Sequence, residues 1–236
     1  MFDSIKSKFQ FQLKFKDRVN AANILAAALS DRLNKQERIN SCVLGIPRGG
    51  VIVADVVASK LRTNNFNIII PRKLTIPQNE DMAIGAVMLD GMTYLNHDFE
   101  APSEYIRVER IKKIEEIKRR MQLYLAVDSM KYLDITDIKN NATVIIVDDG
   151  VASGSTFIVA ARWLKKFYNP RRIIAAATVA PKEIVKMLKD DAVNDVEVIT
   201  KPHLSSFNYV GQYYQNFAPV PDEQVVQIMK RRNLLH

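Results

Sequence analysis

The stretch VIIVDDGVASGST, Val144 to Thr156, decides the fold and frames the chemistry. Val144, Ile145, Ile146 and Val147 are β-branched and suit a buried strand, and they run straight into two adjacent carboxylates, Asp148 and Asp149. Ala152, Ser153, Gly154, Ser155 and Thr156 follow, and then STFIVAARWLKKFY reads as a helix. Strand, acids, small-residue turn and helix in that order form one βα unit.

The same rhythm extends in both directions. Upstream, SCVLGIP reads as a short buried strand, RGG as a turn, and VIVADVVASKLR as a helix packed on a sheet. FNIIIPRKL reads as a second strand ending at Pro71 to Lys73, and TIPQNEDMAIGAVMLDGMTYLN as an excursion or small hairpin. From Ser103 to about Val127, Ile111, Ile114, Ile117, Met121 and Leu125 recur at helical spacing, with Glu109 and Lys113 on the exposed side. Downstream, RRIIAAATVA is a strand, PKEIVKMLKDD a helix with Pro181 near its start, and DVEVIT a last strand. The alternation predicts an α/β fold, a mostly parallel twisted sheet with helices on both faces.

The expected division is residues 1–40 as an N-terminal arm and helix, 41–200 as the core, and 201–236 as a small C-terminal hood. The arm contains KFQFQLKF, which suits an edge strand, an extended arm or a partner contact, and it becomes an Ala/Leu-rich helix from about Asp17. The hood breaks the rhythm with Phe207, Tyr209, Tyr213, Tyr214 and Phe217 among polar residues.

With 47% hydrophobic and 25% charged residues over 236, the chain can bury a real core. Its single cysteine, Cys42, cannot form an internal disulfide, and no apolar run is long enough to span a bilayer. The expected compartment is the cytoplasm, with no membrane association. Lys and Arg number 34 against 26 acids, a net charge of +8 that favours anionic partners; nucleic acid fits that description but so does a phosphorylated metabolite.

In an open parallel sheet, ligands gather at the carboxyl ends of the strands, where Asp148 and Asp149 lie. Ala152 to Thr156 would then open a helix with outward N–H groups and three hydroxyls, a phosphate cradle beside two acids. A sugar phosphate matches that pairing, with the acids accepting from neighbouring hydroxyls. The bland alternative, acids that merely end a strand before a Ser/Gly turn, leaves the combination unexplained. The segment lacks the Gly-Lys-Ser/Thr ending of a P-loop and the three spaced glycines of a dinucleotide fingerprint. Gly49 and Gly50 after the first strand offer backbone N–H groups, and Arg48 a fork of donors for phosphate, although a tight turn with a solvated arginine would look the same.

The pattern resembles the phosphoribosyl diphosphate (PRPP) motif of the type I phosphoribosyltransferases, whose fixed positions are met by Asp148, Asp149, Ala152, Ser153, Gly154 and Thr156. The resemblance covers roughly Ser41 to the end. It implies that Asp148 and Asp149 are catalytic and hold the ribose 2- and 3-hydroxyls, that Ala152, Ser153, Gly154, Ser155 and Thr156 wrap the 5-phosphate, and that Arg48, Gly49 and Gly50 form a pyrophosphate loop, often with a non-proline cis peptide. Arg72 and Lys73 look like the pair that precedes the family's mobile loop and contacts the diphosphate. Magnesium would be carried mainly by PRPP, without a protein cage, and His97, His203 and His236 show no ligand spacing. The family is also commonly homodimeric.

Ala152 stands where 6-oxopurine members carry an aspartate that contacts the purine, so the acceptor is not expected to be hypoxanthine or guanine. Adenine- and orotate-type members share the small residue. Phe207 and Tyr209 are candidates to stack on a planar acceptor, or else they build a small aromatic core or dimer contact. FKDR near the N-terminus, EDMAIGAV and FNYVGQYYQNF are most similar to a group of phosphoribosyltransferases of undefined acceptor. The expected activity is transfer of the 5-phosphoribosyl group from PRPP to a nitrogenous, nucleobase-like acceptor with release of pyrophosphate. Two alternatives stand beside it: a PRPP-sensing regulator that binds nucleic acid, and a hydrolase or phosphotransferase acting on a phosphorylated sugar.

Overall fold

Asp17 starts the described chain's first helix: its carboxylate accepts from the Asn20 N–H at 2.8 Å and caps α1, Arg18–Arg32. The computed structural model describes residues 14–76, 79–96, 101–125, 138 and 142–233. Most of KFQFQLKF, together with His97 and His236, lies outside the described residues.

After α1 and a short α2, Lys35–Ile39, the chain runs β1, Cys42–Gly45; α3, Gly49–Leu61; β2, Phe66–Ile68; β3, Arg72–Ile76; β4, Asn79–Val87; β5, Thr93–Leu95; and α4, Ser103–Leu125. It continues with β6, Thr143–Asp148; α5, Ser155–Tyr168; β7, Arg172–Val179; α6, Lys182–Asp191; β8, Asp195–Thr200; two short 3-10 turns; and α7, Asp222–Asn233.

Five parallel strands form the main sheet in the order β2-β1-β6-β7-β8. The quoted strand, β6, is central, and Thr143 to Val147 are all buried. Because successive side chains leave a strand on opposite faces, β6 feeds two cores. Val144 and Ile146 join Leu44, Ala175 and the apolar side of α5, whereas Ile145 and Val147 join Val43, Ile174 and residues of α1 and α3. The parallel sheet with helices on both faces is the α/β fold the alternation predicts.

FNIIIPRKL divides differently from its sequence reading. Ile69 and Ile70 remain buried beyond the end of β2, but Pro71 has no N–H to donate, and the chain turns there. Arg72 and Lys73 therefore open β3 instead of closing β2, and β3-β4-β5 is a separate antiparallel sheet. The expected excursion is thus three strands.

The buried face of α4 is also rotated. Ile117 and Tyr124 are buried and Ile106, Ile114 and Met121 partly so, while Ile111 is exposed. Glu109, placed on the exposed side by the Glu109–Lys113 spacing, is instead buried, with Lys113 Nζ 3.2 Å from its Oε1. α7 then lies on α3, where Arg232 Nε donates to Asp55 Oδ1 at 2.7 Å.

Candidate functional site

The carboxyl ends of the neighbouring strands β1 and β6 lie side by side and open into a cleft of about 470 Å³. Asp148 and Asp149 form its floor. Asp148 Oδ1 accepts from the Asp149 N–H at 2.8 Å, so the first acid fixes the backbone of the second. The start of α3 can lie this close because it is bare glycine. A Cβ on Gly50 would come 2.7 Å from Asp148 Oδ1, and one on Gly49 only 1.8 Å from Asp149 Oδ2. Burial pushes the Asp148 carboxyl well above the usual carboxylate range, and the charge of Asp149 pushes it further. Burial raises Asp149 as well, against the opposing pull of Arg18.

Arg18 was not among the residues singled out from sequence. Its Nε donates to Asp149 Oδ2 at 2.6 Å and its Nη1 to the Ala218 carbonyl at 2.8 Å, with the guanidinium 3.8 Å above the Phe217 ring. The Asp149 carbonyl is held as well, by the Tyr214 hydroxyl at 2.7 Å. Beside it, Thr178 Oγ1 lies 2.5 Å from both the Asp149 carbonyl and the Tyr214 hydroxyl.

Along one wall, Ala152, Ser153, Gly154 and Thr156 line the cleft ahead of α5. Gly154 adopts φ +76°, the left-handed region in which only glycine is unstrained, and it turns the chain into the helix. Ser155 does not line the cleft: it is buried, its hydroxyl 3.2 Å from that of Ser153. The hydroxyls facing the cleft are therefore those of Ser153 and Thr156.

Cations occupy the other sides. Arg48 follows a cis Pro47–Arg48 peptide and is 39% exposed at its side chain, with Asp222 Oδ1 at 3.9 Å, a distance that leaves the guanidinium free to take a ligand. Lys73 projects from β3 as an exposed cleft residue. Arg72 also touches the cleft, but its Nη2 pairs with Glu116 Oε1 on α4 at 2.7 Å, which makes it a brace between β3 and α4. Lys113 reaches the same wall from α4.

The aromatic tail divides. Phe207 stacks on Tyr213, ring centroids 5.7 Å apart, within a cluster that includes Phe15, Tyr214 and Phe217. Tyr209 is 63% exposed, and neither it nor Phe207 lines the cleft. Val210, Phe217, Pro219 and Val220 do. The tail thus supplies an apolar wall, through other residues than the two expected.

The family model described as the phosphoribosyl transferase domain matches residues 14–207. The chain belongs to the phosphoribosyltransferase family. A Mycobacterium tuberculosis (strain H37Rv) protein provisionally named a phosphoribosyl transferase is 31% identical over 222 residues, covering 92% of this chain and 46% of its own length. The chain thus spans about half the length of such curated relatives. A solved structure from Thermus thermophilus shares 32% identity and superposes with a TM-score of 0.71 over 92% of this chain and 98% of that one. A uracil phosphoribosyltransferase of Thermococcus kodakarensis is 38% identical over 69 residues, 29% of this chain and 30% of that protein.

Among the charged and aromatic residues that line the cleft, Arg18, Lys113 and Phe217 escaped the sequence reading. Arg18 lies in the first turn of α1, where a solvated arginine looks no different. Lys113 was assigned to the solvent side of α4, and Phe217 could not be ranked among five tail aromatics. A residue that reaches a site from a distant element leaves no spacing signal. His203 is exposed, with Nδ1 3.6 Å from Glu183 Oε1, away from the cleft lining.

Proposed function

We propose that the cleft binds PRPP and transfers its 5-phosphoribosyl group to a nitrogenous acceptor, releasing pyrophosphate. The observation that carries this reading is the placement, at the end of one central strand, of two partly buried carboxylates directly beside the hydroxyl-bearing turn that opens α5, with Arg48 and Lys73 also lining the cleft. In this reading Asp148 and Asp149 accept from the ribose 2- and 3-hydroxyls. The backbone N–H groups of Ala152 to Thr156, with the hydroxyls of Ser153 and Thr156, take the 5-phosphate. Arg48, the N–H groups of Gly49 and Gly50, and Lys73 take the diphosphate, while Arg72 acts through its brace to α4.

As the bond to pyrophosphate lengthens, the ribosyl carbon gains positive character. The two carboxylates, fixed before substrate arrives, stabilise that charge without reorganising. The cations opposite stabilise the departing diphosphate. Magnesium, when bound, screens the diphosphate and makes it a better leaving group. The donor set suits an ion carried in on PRPP: the lining has paired acids for hydroxyls and cations for phosphate. The acceptor would enter along the apolar wall of Val210, Phe217, Pro219 and Val220, with Ala152 leaving no acid for a 6-oxopurine. The family resemblance supports a homodimer, and no described helix is long and apolar enough to cross a membrane.

Isothermal titration with PRPP and magnesium tests the donor half, in parallel with Asp148→Asn/Asp149→Asn. Binding by the wild type that a folded double variant lacks is expected. An acceptor screen monitored by pyrophosphate release then follows, and equal binding by the double variant would remove the basis for the assignment.

A further inference from the structure

Asp149 has a partner that the transfer reading leaves unused. Arg18 and Asp149 are enclosed together, their side chains 11% and 14% exposed, with Nε 2.6 Å from Oδ2. Four separate elements fix the contact. α1 carries Arg18, β6 leads to Asp149, the tail offers the Ala218 carbonyl and the Phe217 ring, and bare Gly49 of α3 lets the pair settle against its backbone. A Cβ on Gly49 would also come 2.9 Å from Arg18 Nε. So closely fitted an ion pair is not an incidental surface contact.

Its effect on the acids follows from the charges around them. Two adjacent carboxylates partly shielded from water resist being ionised together. The groups facing Asp149 are Asp148 on its own strand, Lys73 from β3, the Tyr214 hydroxyl from the tail, and Arg18 from α1. Burial raises the Tyr214 phenol, so it stays neutral near neutral pH. Lys73 is exposed and acts at a distance through solvent. Arg18 is the cation in direct contact.

We propose that Arg18 is a positioning residue of the transfer site: it anchors Asp149 Oδ2 and supplies the counter-charge for the Asp148–Asp149 pair, so that both acids are held in place to meet the neighbouring hydroxyls of a ribose phosphate. The identity of the ligand rests on the phosphoribosyl reading, but control of the carboxylate charge by Arg18 does not. The readiness of the site then depends on α1 and the tail as well as on the motif that holds the acids.

The test uses the full chain as wild type, Arg18→Gln and Arg18→Lys. Carboxyl-carbon NMR follows the titration of the two aspartates without ligand, and calorimetry follows PRPP with magnesium across the same pH range. In Arg18→Gln the pair should take up its proton at a pH higher by about one unit, equivalent to about tenfold. PRPP binding should weaken by about tenfold at neutral pH, and its loss on acidification should begin earlier. Arg18→Lys keeps the charge and should hold the titration within about threefold of wild type, and it carries the test if the glutamine variant does not fold.

An unmoved titration in Arg18→Gln, or a tenfold displacement in Arg18→Lys, overturns the inference. Tighter PRPP binding by Arg18→Gln also overturns it, since Arg18 would then be a plug that substrate must displace. If no variant and not even the wild type binds PRPP, the phosphoribosyl reading falls, and the carboxyl titration still decides the role of Arg18.

Discussion

Gly49→Ala puts the closest approach in the cleft to a direct test. The added Cβ would lie 1.8 Å from Asp149 Oδ2 and 2.6 Å from its Cγ, far inside contact distance, so the carboxylate must move by about 1.5 Å. That displacement breaks the 2.6 Å bond from Arg18. Overpacking of this kind costs about 1–3 kcal/mol, and a lost charge-assisted hydrogen bond about 1.5–3 kcal/mol. Replacing glycine in a helix returns about 0.5–1 kcal/mol, which leaves a net loss of about 2–5 kcal/mol. Urea denaturation at neutral pH measures the single variant, and the cycle with Asp149→Ala isolates the cause. Without the carboxylate only the flexible Arg18 side chain, its Nε 2.9 Å from the added Cβ, has to give, and Gly49→Ala should become close to neutral. An equal loss in both backgrounds, or under about 1 kcal/mol in the wild type, would refute the steric account.

Asp148→Asn should stabilise the free protein by about 1–2 kcal/mol at neutral pH while abolishing PRPP binding, as thermal melts and calorimetry would show. The sign follows from the raised folded pKa: the pair's contribution is fully present below the unfolded carboxylate value and is lost as the pH rises through the folded one, so this slope should flatten in the variant. Lys73→Ala should weaken PRPP binding by about tenfold, whereas Arg72→Ala, whose guanidinium is committed to Glu116, should lower stability and change affinity by about twofold or less. Asp55→Ala should cost about 3–5 kcal/mol in urea, because it takes the counter-charge from the Arg232 guanidinium, 8% exposed at its side chain, which keeps only the neutral acceptors Ser59 Oγ and the residue 55 carbonyl.

The parts of the fold legible in the sequence are those whose signal is local. The β-branched run of β6, the alternation of strands with helices, the Asp17 cap and the break after Asp149 are each written within a dozen residues. FNIIIPRKL misled because apolar continuity through Ile70 masks the change of sheet at Pro71. Glu109 misled because opposite charges four apart mark an exposed face only when neither has a partner elsewhere, and Glu109 also has Thr75 Oγ1 3.4 Å from its Oε1 on β3. The site divides along the same line. Its acids and cradle are consecutive residues, but the arginine that pairs with an acid and the aromatic ring beneath that arginine come from segments whose meeting only the tertiary structure records.

The Arg18–Ala218 hydrogen bond closes a separation of 200 residues. A contact of that span cannot form until the whole intervening chain has been made. During synthesis, the strand, the acids and the phosphate turn have all left the ribosome well before Phe217 and Ala218 follow. A growing chain would therefore carry a recognisable donor motif while its second acid still lacked the seating for its counter-ion.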